Sequence, residues 1–318
     1  MISLKQTWRL LKATFTEWKE DKSSRLAAAL AYYTVFALAP LLMIVILVAS
    51  FIFGDESKTV VIDQFQSLVG RQGAETIQTA IENTSQSQGG STVASIFSLV
   101  ALMFGASGVF TQLQGALNTV WEVEAKPGKG IWGFLRQRFL SFGMILGICF
   151  ILMVSLVVSA GLAGFSAYIN RLVPGLGIIG QILNLAISFG VFTLLFALIY
   201  KVLPDVKITW KDVWVGAGIT ALLFAVGKFA LGVYIGNGSV GSTYGAAGSV
   251  VVLLVWVYYS AQILFFGAEF TQVYARKYGS QIVPDQHAVP VSDQVRAKQG
   301  MGNSHRRPKT DQPDYPYR

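Results

Sequence analysis

Leu41-Leu42-Met43-Ile44-Val45-Ile46-Leu47-Val48 is an unbroken apolar run inside an uncharged segment of 23 residues, Ala31–Phe53. A transmembrane β-strand alternates apolar and polar positions over roughly ten residues, so a continuous run of this length reads as a helix. At 1.5 Å per residue that helix reaches about 35 Å, enough to cross a hydrocarbon core of ~30 Å. Five further segments share its character: Thr92–Leu113, Phe139–Gly164, Ile178–Tyr200, Val213–Ile235 and Ala247–Gln272. Together the six hold 143 residues and two charges, Lys228 and Glu269, while the other 175 residues hold 40 charges. Only 13% of the chain is charged, against roughly 25% in a soluble protein, which excludes a soluble enzyme. The expected fold is all-α, a polytopic six-helix transmembrane bundle.

Lys and Arg set the expected orientation, because cytoplasmic loops retain positive charge. With the N-terminus inside, the inner segments carry 21 of them and the outer loops 3. Both termini are therefore expected in the cytoplasm. The net charge of +8 becomes a topology signal, and nucleic acid is not an expected partner. A first apolar segment of 23 residues is longer than the ~7–15 of a signal-peptide core, so no cleaved leader is expected. Cys149 lies within the third segment and has no second cysteine to pair with.

Three regions follow from this count. Residues 1–30 read as a cytoplasmic amphipathic N-terminal helix, 31–275 as the six-span domain, and 276–318 as a disordered cytoplasmic tail. In the first, Leu4, Trp8, Leu11, Phe15 and Trp18 recur at helical spacing, with Lys5, Arg9, Lys12, Lys19 and Lys22 mostly off that stripe. This pattern suits a helix lying in the inner-leaflet interface and equally one packed on the cytoplasmic ends of the spans. The tail carries Pro284, Pro290, Pro308, Pro313 and Pro316 among polar residues and shows no periodicity. The outer loop Gly54–Ser91 keeps helical spacing on both sides of Gly70–Gly73 and reads as two short helices.

Chemistry-bearing motifs are sparse. Gly175-Leu176-Gly177-Ile178-Ile179-Gly180 matches a dinucleotide fingerprint but has no preceding strand. Both histidines, His287 and His305, fall in the tail, where they cannot join a rigid metal or nucleophile site. No catalytic, cofactor-binding or metal-binding residue is expected, and no cofactor. Pro40 should kink the first span by removing a backbone hydrogen bond. Gly105 and Gly108 are candidate breaks in a second helix that could otherwise run 32 residues, Thr92–Val123, about 48 Å. Lys228 is a candidate intramembrane charge, able either to snorkel to the outer boundary or to face inward.

Several motifs in order resemble one family. They are Ser24-Arg25-Leu26-Ala27-Ala28-Ala29-Leu30-Ala31-Tyr32-Tyr33 with Ala37-Leu38-Ala39-Pro40, Leu117-Asn118 with Trp121, and Leu203-Pro204-Asp205 with Trp210. Gly245-Ala246-Ala247-Gly248, Trp256-Val257-Tyr258-Tyr259-Ser260 and Gly267-Ala268-Glu269-Phe270-Thr271 complete the set. Across residues 20–275 the chain resembles the YihY/BrkB family. The resemblance implies a bacterial plasma-membrane protein with six spans, tied to envelope integrity or virulence. Members have also carried the label ribonuclease BN, which the missing His/Asp cluster contradicts. The functional expectation is transport or export of an amphipathic envelope molecule such as a lipid or lipid-linked glycan. The alternative is a scaffold that stabilises envelope machinery. Membrane lipids are the expected partners, with homo-oligomeric or envelope-protein contacts left open. Topology gathers Arg25, Tyr32, Asn118, Trp121, Asp205 and Glu269 on the inner side, where they are expected to form one polar cluster. Within it Arg25 is expected to pair with Glu269, and Lys201 is the second choice.

Overall fold

The computed structural model describes residues 4–59, 61–63, 66, 74, 78–79, 82, 108–126, 143, 147, 177–237, 248–279, 282–286 and 288–301. The expectations for Gly105, for most of the loop 54–91, for most of the second and third spans and for residues 302–318 lie outside the described residues.

Helix α1 runs Leu4–Glu20 and α2 runs Ser23–Phe53. Lys22 separates them in the left-handed region at φ 53, which lets the chain turn between two helices without a long loop. The helix that holds the first expected span therefore begins at Ser23, inside the region expected to belong to the N-terminal helix. Helix α2 continues through Pro40 as one element and ends at Gly54, whose φ of 53 favours glycine. A helical stretch at 108–120 takes in Gly108 and runs seven residues past the expected end of the second span at 113. Three more long helices follow: α3 Gly177–Val202, α4 Trp210–Asn237 and α5 Gly248–Tyr278. Three stretches within these, Leu185–Val202, Trp210–Leu231 and Val250–Tyr278, are long and apolar enough to cross a membrane.

Close approach joins α3, α4 and α5. A Cβ on Gly216 would collide with the Thr271 side chain, and one on Gly267 with Thr220 and Tyr200. Small residues at such crossings let helix backbones approach where apolar burial supplies little driving force. The Tyr200 hydroxyl donates to the Leu264 carbonyl at 2.7 Å and lies 3.0 Å from the Thr220 hydroxyl. Phe224 meets the rings of Phe192, Phe196 and Trp256. Trp121 is fully buried in the same core, beside Leu117 and Val120.

The region after α5 corrects the sequence reading. Residues expected to be disordered from 276 onward first complete α5 and then form β3 (Val283–Pro284), β4 (Ala288–Pro290) and α6 (Asp293–Lys298). Strand β3 pairs antiparallel with β2 (Val206–Lys207) between α3 and α4. Strand β4 pairs antiparallel with β1 (Val123–Ala125), just after the 108–120 helix. Further bonds close the seam: Asp285 N–H to Asp205 O at 2.9 Å, and Val291 N–H to Glu122 O at 3.0 Å. Ser292 then caps α6 by accepting from Val295 N–H. Pro284 and Pro290 sit on two-stranded ribbons, where every strand is an edge and proline is tolerated. The tail is thus a strap across two loops, at least as far as Met301.

Candidate functional site

Helix α1 turns a polar stripe inward. Leu10, Thr14, Glu17 and, just past the helix, Asp21 are buried, at the spacing of one helical face. Leu10 packs with Phe270 and Val273 of α5, which sets the two helices side by side. Thr14 satisfies its hydroxyl on the Leu10 carbonyl at 2.9 Å. The two carboxylates one turn further on reach the end of the bundle.

There they meet charges from three further segments: α5, the loop after the 108–120 helix and the strap. On α5, Glu269, Gln272 and Arg276 lie on one face at intervals of three and four. Glu269 is fully buried, and its Oε1 accepts from the Ser23 hydroxyl at 3.0 Å. Gln272 donates to the Val120 carbonyl at 2.6 Å, capping the 108–120 helix. The Arg276 guanidinium bridges Glu122 at 2.8 Å and Glu17 at 3.4 Å. From the strap, Arg296 reaches Asp21 at 2.6 Å and Glu122 at 3.5 Å, and is only 1% exposed. Two arginines thus knit three carboxylates from α1 and the 121–126 loop, with Glu269 alongside.

Glu122 occupies its place because the backbone is left-handed there, at φ 53. That turn ends the 108–120 helix and aims the carboxylate at Arg276 and Arg296 while β1 departs toward the strap. Burial is the largest influence on Asp21 and pushes its carboxyl up from 3.8 to about 6. Arg296 opposes the rise, but that cation is shared with Glu122, and Glu122 and Glu17 add to it. Burial also acts to lower Arg296, yet Asp21, Glu122 and Glu17 outweigh it, so the guanidinium is held charged above its ordinary value.

A second polar group stands apart from this network. The Asn118 side chain donates to Asp205 Oδ2 at 2.9 Å, and its carbonyl accepts from Asp205 N–H at 2.8 Å. Gln114 approaches the other carboxylate oxygen at 3.4 Å. This double clasp pins the α3–α4 loop to the 108–120 helix. Beside it opens a pocket of about 280 Å³, walled in part by Gln114, Asn118, Asp205, Val295 and Gln299, with Arg296 of the ion network on its wall.

The single expected cluster therefore divides. Asn118 and Asp205 meet, Trp121 is buried in the apolar core, and Glu269 belongs to the arginine network. Arg25 and Tyr32 are exposed, and Tyr32 touches only Tyr33 and Phe36 among ring partners of the described residues. The expected Arg25–Glu269 pair is corrected to Ser23–Glu269. Two helical residues advance about 200°, so turning Ser23 toward α5 turns Arg25 away. Lys201, the second choice, instead donates to the Ile208 carbonyl and covers the Trp210 ring. Lys228 is half-buried on α4, with no ion-pair partner among the described residues.

Sequence reasoning missed Glu17, Asp21, Ser23, Glu122, Arg276 and Arg296. A signal existed for some of them. Leu10, Thr14, Glu17 and Asp21 keep a helical spacing as regular as that of the aromatic stripe, and Arg276 lies seven residues beyond Glu269 on the same face. Nothing in the local sequence marked Arg296. Among the described residues no group of three or more His, Cys, Asp or Glu is arranged to hold a metal ion.

The virulence factor BrkB family matches residues 14–292, taking in Glu17, Asp21 and the strap to Ser292. The chain belongs to the virulence factor BrkB family. It is similar to a UPF0761 membrane protein of Alteromonas mediterranea, 28% identical over 256 residues that cover 80% of this chain and 83% of that one. A UPF0761 membrane protein of Tolumonas auensis is 28% identical over 261 residues, covering 79% of this chain and 80% of its own. One from Pseudomonas aeruginosa is 29% identical over 259 residues, 78% of this chain but 58% of its own length. No solved structure matches. This member of the BrkB family is a membrane protein, and the match extends well beyond the six expected spans.

Proposed function

We propose that the protein is a non-enzymatic factor of the bacterial plasma membrane that carries, or helps export, an amphipathic envelope molecule such as a lipid or lipid-linked glycan. One observation carries the reading: Glu17, Asp21, Glu122, Glu269, Arg276 and Arg296 are gathered at one end of a membrane helix bundle, most of them fully buried. Ionisable groups buried against membrane helices are costly, and they mark pathways or moving parts more often than passive packing. The charge bias of the loops supports an orientation with this end, and both termini, in the cytoplasm. Labelling of single cysteines at positions 85 and 304 in intact cells tests that orientation. Protection at 85 with labelling at 304 reverses it.

Transport itself is tested with the protein reconstituted in liposomes carrying fluorescent envelope lipids. Wild type is expected to move a labelled lipid between leaflets faster than protein-free vesicles, and Glu269→Gln to slow it at equal protein content. No acceleration by wild type for any lipid of the panel removes the transport reading. The scaffold reading draws on a different observation, the close crossing of α3, α4 and α5 at Gly216 and Gly267. It predicts no lipid movement, and loss of a co-purifying envelope complex when these glycines are enlarged.

A further inference from the structure

Helix α1 has three faces. At about 100° per residue, Trp18, Leu11, Phe15 and Trp8 occupy one sector, Lys19, Lys12, Lys5 and Arg9 the next, and Glu17, Leu10, Asp21 and Thr14 a third. Only the third sector is buried, and it is the one rich in polar atoms. The aromatic sector points outward over Trp8 (70% exposed), Leu11 and Phe15 (53% exposed), while Trp18 at its end is half-buried with its indole nitrogen inside the protein. Phe15 and Trp18 stack on one another at 5.8 Å, forming a continuous apolar ridge. All four cations of the basic sector are exposed. A helix that buries carboxylates and presents indole rings has its apolar face turned away from the protein, which in water is unfavourable.

We propose that α1 is an anionic-lipid docking helix, with Trp8, Leu11 and Phe15 seated at the acyl boundary, Phe15 backed by the half-buried Trp18, and Lys5, Arg9, Lys12 and Lys19 against phosphate-bearing headgroups. The order of the sectors fits this occupant. The aromatic ridge lies between the protein-facing stripe and the basic stripe, so a helix beside α5 dips its ridge into the leaflet while its cations stay at headgroup level. Indole and phenyl rings with flanking lysines are the composition that binds this interface, and the cations select lipids of negative charge. The third face adds a consequence. Glu17 and Asp21 enter the ion network from the same helix, so binding of the leaflet to α1 bears directly on Arg276 and Arg296. The inference holds whether or not the protein carries a molecule.

Spin labels test the geometry on the full chain in a Cys149→Ser background, in nanodiscs of phosphatidylcholine with and without phosphatidylglycerol. A label at Leu11→Cys is expected to collide mainly with oxygen, and one at Thr16→Cys, in the basic sector, mainly with a water-soluble nickel reagent. Nickel collisions dominating at residue 11, or shielding of that label from both reagents, overturn the lipid face. Charge is tested by phosphatidylglycerol retained on the purified protein. Replacing Lys5, Arg9, Lys12 and Lys19 with Gln should weaken retention by about fivefold for each cation removed. The variant Lys5→Arg/Lys12→Arg/Lys19→Arg should retain wild-type levels, which separates charge from folding. Equal retention by the Gln variant overturns the anionic-lipid assignment and gives the basic sector to another acidic partner.

Discussion

Arg296 and Asp21 lie 2.6 Å apart across 275 residues of sequence, and both side chains are almost completely buried. The contact ties the strap to the turn between α1 and α2, and through Glu122 to the end of the 108–120 helix. Removing the arginine strands the buried Asp21 and leaves Glu122 to Arg276 alone. Arg296→Gln is expected to cost about 3–5 kcal/mol of stability, the range for breaking one partner of a buried ion pair. Arg296→Lys should cost less. Thermal unfolding in detergent measures both, and an unchanged melting temperature for Arg296→Gln would show that the strap is ornamental.

Stability should also depend on pH through Asp21. Its folded pKa, about 6, lies above the ordinary 3.8, so between those values the folded state binds more protons than the unfolded one. Asp21's contribution is therefore fully present below about 3.8 and is lost as pH rises through 6. Asp21→Asn, which stays neutral, should flatten this part of the profile. Melting curves of wild type and variant between pH 4 and 7 are the measurement, and parallel profiles would contradict it.

The clasp between Asn118 and Asp205 should matter without affecting the ion network. Asn118→Ala leaves Asp205 short of a donor and its N–H short of an acceptor, at an expected cost of about 1–3 kcal/mol. Asn118 and Arg296 line the same pocket but share no hydrogen-bond or ion-pair partner among the described residues, so Asn118→Ala and Arg296→Gln should be nearly additive. A double-mutant cycle with a coupling well above about 0.5 kcal/mol would mean that the two groups act as one.

Two glycines on α4 should respond in opposite ways. Gly216→Ala drives a methyl into Thr271, an overpacking expected to cost about 1–3 kcal/mol. Gly218→Ala meets nothing within 4 Å and should be neutral or slightly stabilising, since alanine is the better helix former. Unfolding of the two variants side by side distinguishes close helix approach from a general sensitivity of α4.

Much of this protein is legible in one dimension. Runs such as Leu41–Val48 declare membrane helices because every backbone polar group in hydrocarbon must be satisfied within the segment, so the apolar residues are contiguous in sequence. Loop charge is likewise a local count, and the motif order from Ser24 to Thr271 identifies the family without coordinates. The Asn118–Asp205 contact was within reach, since both residues follow expected spans whose charge pattern ends them on the same side. Tertiary structure alone decided the rest. Whether Ser23 or Arg25 meets Glu269 depends on the rotation of α2 about its axis, which a stretch apolar on all sides leaves unspecified. The inward stripe of α1 is polar because its partners are charges on α5 and on the strap, so neither apolar periodicity nor composition announces it. Arg296 sits in a segment rich in proline and polar residues that reads as disordered; its order comes from pairing with β1 and β2 and from carboxylates up to 275 residues away, which no local window contains.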